Sequence, residues 1–322
     1  MKLFTVDEII KPNITYNYAI FSDLHIGSKE FDAESLIRDL KKCVDTNTKI
    51  LLNGDTMDMI LLQDIKRAAA SRIKHEDGQV NKYIDEATEI LMPFVSHILM
   101  IAQGNHETAI TKHHGVNVLS WLIERLNKEK KNGQIHQGHY SNFVRVNFLD
   151  PRRNYKKGGK YDIFMTHGAG GAAPVSKGMI DFNRIAVANS ADLYAMGHKH
   201  NHLETTYPEA YITDDDRIAV RNRKAIQTPS YTTQINTDKE NAWIDSFYGK
   251  QAAPSFARIE LLPTKMSTGS IIYPYTINSR VWIDSNNSAP QVIFDDMPAE
   301  KLATLYLEAQ KAQQAKTRQK QK

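Results

Sequence analysis

The sequence predicts a layered α/β fold. Short, continuous apolar runs end repeatedly on Gly, Asp, Asn or His, as strands buried on both faces do. Stretches with apolar residues at helical spacing alternate with them, and strand-helix alternation is the signature of layered α/β architecture. The composition, 41% hydrophobic and 24% charged over 322 residues, supplies enough core for one large domain or a domain with an appendage.

The first run, Tyr18-Ala19-Ile20-Phe21, leads into Ser22-Asp23. From Phe31 to Val44, Leu36, Ile37, Leu40 and Val44 recur at helical spacing, with Asp32 placed as N-cap. Lys49 to Asn53 is the second strand, before Gly54-Asp55, and Asn81 to Met92 reads as a helix. His97 to Ala102 runs into Gly104-Asn105-His106, followed by a helix over Val116 to Leu126. Residues 142–149 alternate like a half-buried strand, and the loop 150–160 joins them to a strand over 161–165. That makes a hairpin with a long basic tip. Ala191 to Met196 then runs into Gly197-His198.

The texture changes after Leu262, which divides the chain into a main domain over 1–265 and an extension over 266–309. Within the extension, 269–296 suggests short strands or extended arms. A helix from Pro298 carries Leu302, Leu305, Tyr306 and Ala309, a stripe suited to its own domain or to a second copy of the chain. The Gln- and Lys-rich end, 310–322, lacks apolar anchors and is expected to be disordered.

The single cysteine, Cys43, excludes an internal disulfide framework and reads as a quiet helix residue. No apolar run approaches the roughly 20 residues that span a bilayer, and the first residues do not form a signal peptide. A cytoplasmic location without membrane partners is the default expectation. The net charge of +4 and pI of about 8.8 are mild, and favour phosphate-rich substrates without naming one.

Five clusters carry the chemistry: Asp23-Leu24-His25, Gly54-Asp55, Gly104-Asn105-His106-Glu107, His167-Gly168 and Gly197-His198-Lys199-His200. Oxygen and imidazole donors without thiolate suit Mn, Fe or Zn, and the clusters hold more donors than one ion uses. Asp-x-His leaving a strand sets two ligands on one side of a turn, and Asp55 has two oxygens with which to bridge. Any one of these residues alone would serve as a helix cap or a core hydrogen-bonding group. The ordered set is what argues for metal.

In this order and after strands, Asp-x-His, Gly-Asp-x-x-Asp, Gly-Asn-His-Glu, His-Gly and Gly-His-x-His resemble the calcineurin-like metallophosphoesterases, over about residues 18–205. The resemblance implies two mixed β-sheets packed face to face with helices outside, a four-layer α-β-β-α sandwich. It implies one metal held by Asp23, His25, Asp55 and His200, and a second held by Asp55, Asn105, His167 and His198. His106 matches the family's catalytic histidine and Asp58 the carboxylate that orients it. Two divalent ions, manganese first with iron or zinc as alternatives, would clamp a phosphate and activate a bridging hydroxide, while His106 protonates the leaving oxygen.

The substrate is less legible. Protein phosphatases of this family carry Arg where this chain has Met59, whereas Ser22-Asp-Leu-His-Ile-Gly27 is more similar to the exonuclease branch. That branch usually has Asp at the position of Glu107. A phosphodiesterase acting on DNA, RNA or nucleotides is therefore expected, with a small-molecule or protein phosphomonoesterase, or a metal-bound interaction module, as alternatives. Candidate substrate contacts are His114, His202 and Arg153, the last among Arg152, Lys156, Lys157 and Lys160 of the hairpin tip beside Tyr155. Lys66-Arg67 with Arg72 and Lys74 is a second basic stretch.

Overall fold

The structure is a computed structural model, and describes residues 1–60, 78–170, 176, 178–212, 216–232, 252–265 and 275–284. Twelve strands and five α-helices are described: β1 (Lys2–Ile9), β2 (Tyr16–Phe21), α1 (Ala33–Asp45), β3 (Lys49–Asn53), α2 (Gln79–Leu91), β4 (Ile98–Ala102), α3 (Asn105–His114), α4 (Val118–Glu129), β5 (His136–Gln137), β6 (Ser141–Asp150), β7 (Lys156–Thr166), α5 (Met179–Ala188), β8 (Leu193–Met196), β9 (Leu203–Ile212), β10 (Ile218–Gln227), β11 (Phe256–Lys265) and β12 (Tyr275–Asp284). They form two mixed six-stranded sheets, ordered β12-β11-β2-β3-β4-β5 and β1-β6-β7-β8-β10-β9. This is the expected α/β sandwich.

Burial shows why the apolar runs are continuous. In β2 and β3, Ala19, Phe21, Ile50 and Leu52 face the helices, while Tyr18, Ile20 and Leu51 face the other sheet. In β7 and β8, Ile163, Met165, Leu193 and Ala195 point inward, and Phe164, Tyr194 and Met196 pack outward with Phe182 of α5. Successive side chains of a strand point to opposite faces, so a strand covered on both sides has no polar positions to spare. Three apolar layers result: helices on sheet, sheet on sheet, and sheet on α5.

The helix start at Asp32 is as expected, its carboxylate accepting the N–H of Ser35 at 2.9 Å. Helix α3 was not expected, and neither were β1, α5 and the β9-β10 hairpin. The basic tip is also shorter than the loop 150–160 that the sequence suggests. Strand β7 begins at Lys156 and pairs with Asp150, leaving a 3-10 turn at Pro151–Arg153 and the left-handed residues Asn154 and Tyr155. Backbone pairing with β6 orders Lys156 to Lys160 although those residues carry no strand pattern. Of the C-terminal extension, β12 pairs along its length with β11 and forms a sheet edge. The helix expected over 298–309, the tail 310–322 and the stretch 66–74 lie outside the described residues. No helix among the described residues is long and apolar enough to cross a membrane.

Candidate metal centre and active site

Parallel strands β2, β3, β4, β7 and β8 all end on the same side of the sandwich, and their carboxyl ends deliver the motif residues. Eleven non-glycine residues among those described have positive φ, and five of them are Asp23, His25, Asp55, His198 and His200. A left-handed backbone is costly for side-chain-bearing residues, so its concentration at one place marks a built site. Two glycines are fixed by close approach. A Cβ on Gly104 would stand 2.0 Å from Asp55 Oδ1, and one on Gly197 would stand 1.9 Å from Ser22 Oγ.

The side chains converge. Asp23, His25 and His200 offer donor atoms within 4.8 Å of one another, and so do Asp55, His167 and His198. A third such group, His25, Asp55 and His106, overlaps both. His200 Nε2 lies 3.3 Å from Asp23 Oδ1 and 3.3 Å from His25 Nε2. His167 Nε2 lies 3.0 Å from Asp55 Oδ2 and 2.9 Å from Asn105 Oδ1. All seven residues proposed as ligands therefore meet in one cluster, in two halves joined through His25 Nε2, 4.0 Å from Asp55 Oδ2.

Hydrogen bonds behind the histidines test whether the cluster fits metal. His167 Nδ1 sits 3.0 Å from the Asn53 carbonyl, which only accepts, so Nδ1 carries the proton. Its Nε2 then faces two oxygens, an arrangement that requires either a second proton or a cation. His25 Nδ1 is likewise committed to Asp58 Oδ1 at 3.0 Å, leaving its Nε2 against the imidazole of His200. The ion pairs of Asp23 and Asp55, both fully buried, are to histidines. Two adjacent buried carboxylates backed by imidazoles fit a pair of hard to borderline divalent ions.

The protein's own groups set the electrostatics. Burial pushes the Asp23 carboxyl up, but His167 and His200 pull it down to about 2. Burial likewise opposes ionisation of Asp55, and His167 and His106 hold it well below the usual carboxylate range. Burial lowers His167 while Asp55 and Asp23 raise it, the balance reaching about 10. Burial and the neighbouring His167 lower His198.

His106 stands at the edge of the cluster, its Nε2 3.9 Å from Asp55 Oδ2. Asp58 holds it, though not in the way the sequence suggests. The Asp58 backbone carbonyl accepts His106 Nδ1–H, while the Asp58 carboxylate bonds His25 and lies 3.6 Å from His106 Nδ1. The reason is geometric: the side chain of Asp58 turns towards the strand-end loop of His25, and its carbonyl faces α3.

The expected substrate contacts fare differently. His202, two residues past His200, pairs with Glu204 Oε1 at 3.1 Å. His114 ends α3, eight residues beyond His106, or about 12 Å along the axis at about 1.5 Å per residue. Arg153 lies apart from the cluster. It lies beyond the far end of β7, whose 11 residues at about 3.3 Å each put it roughly 35 Å from His167. One phosphate in the cluster cannot touch Arg153.

Other residues support the site without having been singled out. Glu107 accepts three backbone N–H groups from the motif loops: Gly104 at 2.9 Å, Met57 at 3.1 Å and Asp55 at 3.2 Å. Asn53 ties the sheets together, its amide donating to the Thr166 carbonyl at 2.9 Å. Lys199, buried between two proposed ligands, pairs with Asp181 in the first turn of α5. Tyr140 bonds the Gly168 carbonyl. Glu107 was visible as a motif letter, whereas Tyr140 and Asp181 have no local signal.

A family model described as calcineurin-like phosphoesterase matches residues 16–202, more than half of the chain. No curated protein matches the sequence. A solved structure described as GAP50, the anchor in the inner membrane complex of Plasmodium, has a TM-score of 0.35 at 12% identity, covering 85% of this chain and 90% of that chain. A likeness that loose carries no argument.

Proposed function

The chain belongs to the calcineurin-like phosphoesterase family, and we propose that it is a two-metal phosphodiesterase acting on nucleic acid or nucleotides. The family and the Asp/His groups support a metal-dependent phosphoester hydrolase. Asp23, His25, Asp55 and His200 would hold one ion, and Asp55, Asn105, His167 and His198 the other. Bound there, divalent ions supply neutralising charge for the phosphate and a water of lowered pKa.

The chain's own groups do the rest. Asn53 and Asp58 fix the tautomers of His167 and His25 so that each Nε2 faces the cluster. Since His106 Nδ1–H is committed to the Asp58 carbonyl, Nε2 is the atom that gains and loses a proton, and it can protonate a leaving oxygen.

The observation that favours a diester is that, among the described residues, the ion pairs of Asp23 and Asp55 are to histidines and none is to Lys or Arg. Met59 is buried in the helix-side core, and Lys199 is turned to Asp181. A phosphomonoester dianion needs more positive charge than a diester monoanion. With Mn, the protein should hydrolyse bis-p-nitrophenyl phosphate faster than p-nitrophenyl phosphate. The reverse preference would sink the diesterase reading, and no turnover with any divalent ion would favour a binding module.

A further inference from the structure

Tyr140 lies between β5 and β6, outside every motif, yet it grips His167 and Gly168 from three directions. Its carbonyl accepts the His167 backbone N–H at 3.1 Å. Its ring meets the His167 imidazole edge-on, with centroids 5.6 Å apart and planes at 83°. Its phenol donates to the Gly168 carbonyl, where the chain leaves β7 with a φ of +100°.

We infer that Tyr140 is a positioning residue that restrains the plane of the His167 imidazole from outside the ligand set, and so supports the half of the centre formed by Asp55, Asn105, His167 and His198. The bond from His167 Nδ1 to Asn53 fixes one axis, and about that axis the imidazole is flanked by two edge-on rings, His198 at 5.2 Å inside the cluster and Tyr140 at 5.6 Å. His198 is itself a proposed ligand, so Tyr140 supplies the edge-to-face restraint that comes from outside the ligand set. The phenol bond to Gly168 restrains the peptide that follows, so the histidine is held at backbone, ring and exit together. A ligand whose ring is free to swing binds more weakly, because orientation is then lost on binding.

This inference rests on the two-ion reading, and the test separates the two. Mn uptake by equilibrium dialysis, together with the visible spectrum of the Co(II)-loaded protein, reads the site without turnover. In Tyr140→Ala, one of two Mn ions should bind about 10- to 100-fold more weakly and the Co(II) spectrum should change. Tyr140→Phe, which keeps the ring and loses only the phenol bond to Gly168, should weaken binding less than Tyr140→Ala does. His167→Gln should lose the same ion, and adding Tyr140→Ala to it should cost nothing further. Tyr140→Leu carries the comparison if the alanine variant does not fold. Wild-type affinity and spectrum in Tyr140→Ala, or additive losses in the double variant, would overturn the assignment. A wild type that takes up no divalent ion would overturn the two-ion reading itself, before any variant is compared.

Discussion

The Glu107 carboxylate accepts the backbone N–H of Asp55 at 3.2 Å, and the same side chain accepts Met57 and Gly104. One buried acid therefore locks the Gly54-Asp55 turn onto the first turn of α3, which carries Asn105 and His106. Burial and nearby Asp55 push the Glu107 carboxyl up, against the N–H groups of Met57 and Gly104 that favour its charged form. Glu107→Gln keeps one acceptor oxygen but turns a donor toward the remaining N–H groups. It should cost about 2 kcal/mol of stability, because bonds to a charged acceptor are worth about 1.5–3 kcal/mol. Glu107→Ala, which strands all three N–H groups, should cost more. Urea denaturation measures both, and an unchanged midpoint for either would refute the locking role.

Asp58 offers a sharper division of labour. Its carboxylate serves His25 and its carbonyl serves His106. Asp58→Asn removes the charge from His25 but keeps the carbonyl, so it should weaken metal binding about 10- to 100-fold, as loss of an outer-shell partner does. At saturating Mn much of the turnover should return. If activity stays lost with both ions bound, the carboxylate acts on His106 after all.

His106 has two possible chemistries, since it lies within reach of Asp55 and His25 as a ligand would. As general acid, its loss should lower kcat by about 10²- to 10⁴-fold while two ions remain bound. The effect should shrink for diesters with good leaving groups, which need no proton. His106→Ala protein holding one ion instead of two would make it a ligand.

What the sequence revealed follows what each element buries. Strands β2, β3, β7 and β8 are covered on both faces and write continuous apolar runs. Strand β9 alternates half-buried and exposed residues from Leu203 to Ala210, and β1 ends in exposed Ile9, so neither left such a run. Helix α3 buries only Glu107 and Ile110, too little for a visible apolar stripe. The motif residues were legible because a metal demands particular atoms at strand ends. Tyr140, Asp181 and the carbonyl of Asp58 act from elsewhere in the chain, or through backbone, and neither writes a local pattern. The distance of Arg153 from the cluster was not legible, because linear charge does not say which end of a strand it occupies.

That position of the basic tip gives a separable expectation for a polymeric substrate. A strand seated at the cluster would have to extend about 35 Å along β7 to meet Lys156 and Lys157, both exposed. If the nucleic-acid reading holds, Lys156→Glu with Lys157→Glu should weaken single-stranded DNA binding and flatten its salt dependence. Hydrolysis of bis-p-nitrophenyl phosphate should not change. Equal loss on both substrates would mean that the tip supports the fold rather than a strand.

The pH dependence of the metal-stripped protein follows from the pairing of Asp23 and Asp55 with His167. The Asp23 carboxyl, held at about 2 by His167 and His200 against burial, lies below its ordinary 3.8. Its contribution is therefore present above that ordinary value and lost as pH falls toward about 2. His167 is raised to about 10 by Asp55 and Asp23 against burial, above its ordinary 6.5. Its contribution is complete below 6.5 and lost as pH rises through about 10. With chelator present, the melting temperature should be highest between about pH 4 and 6.5 and fall on both sides. His167→Gln should flatten the alkaline limb, because that limb tracks loss of the imidazolium. Saturating Mn should flatten it too, since a cation bound to Nε2 takes the place of the proton. An alkaline limb unchanged in His167→Gln would place the lost charge pair elsewhere in the molecule.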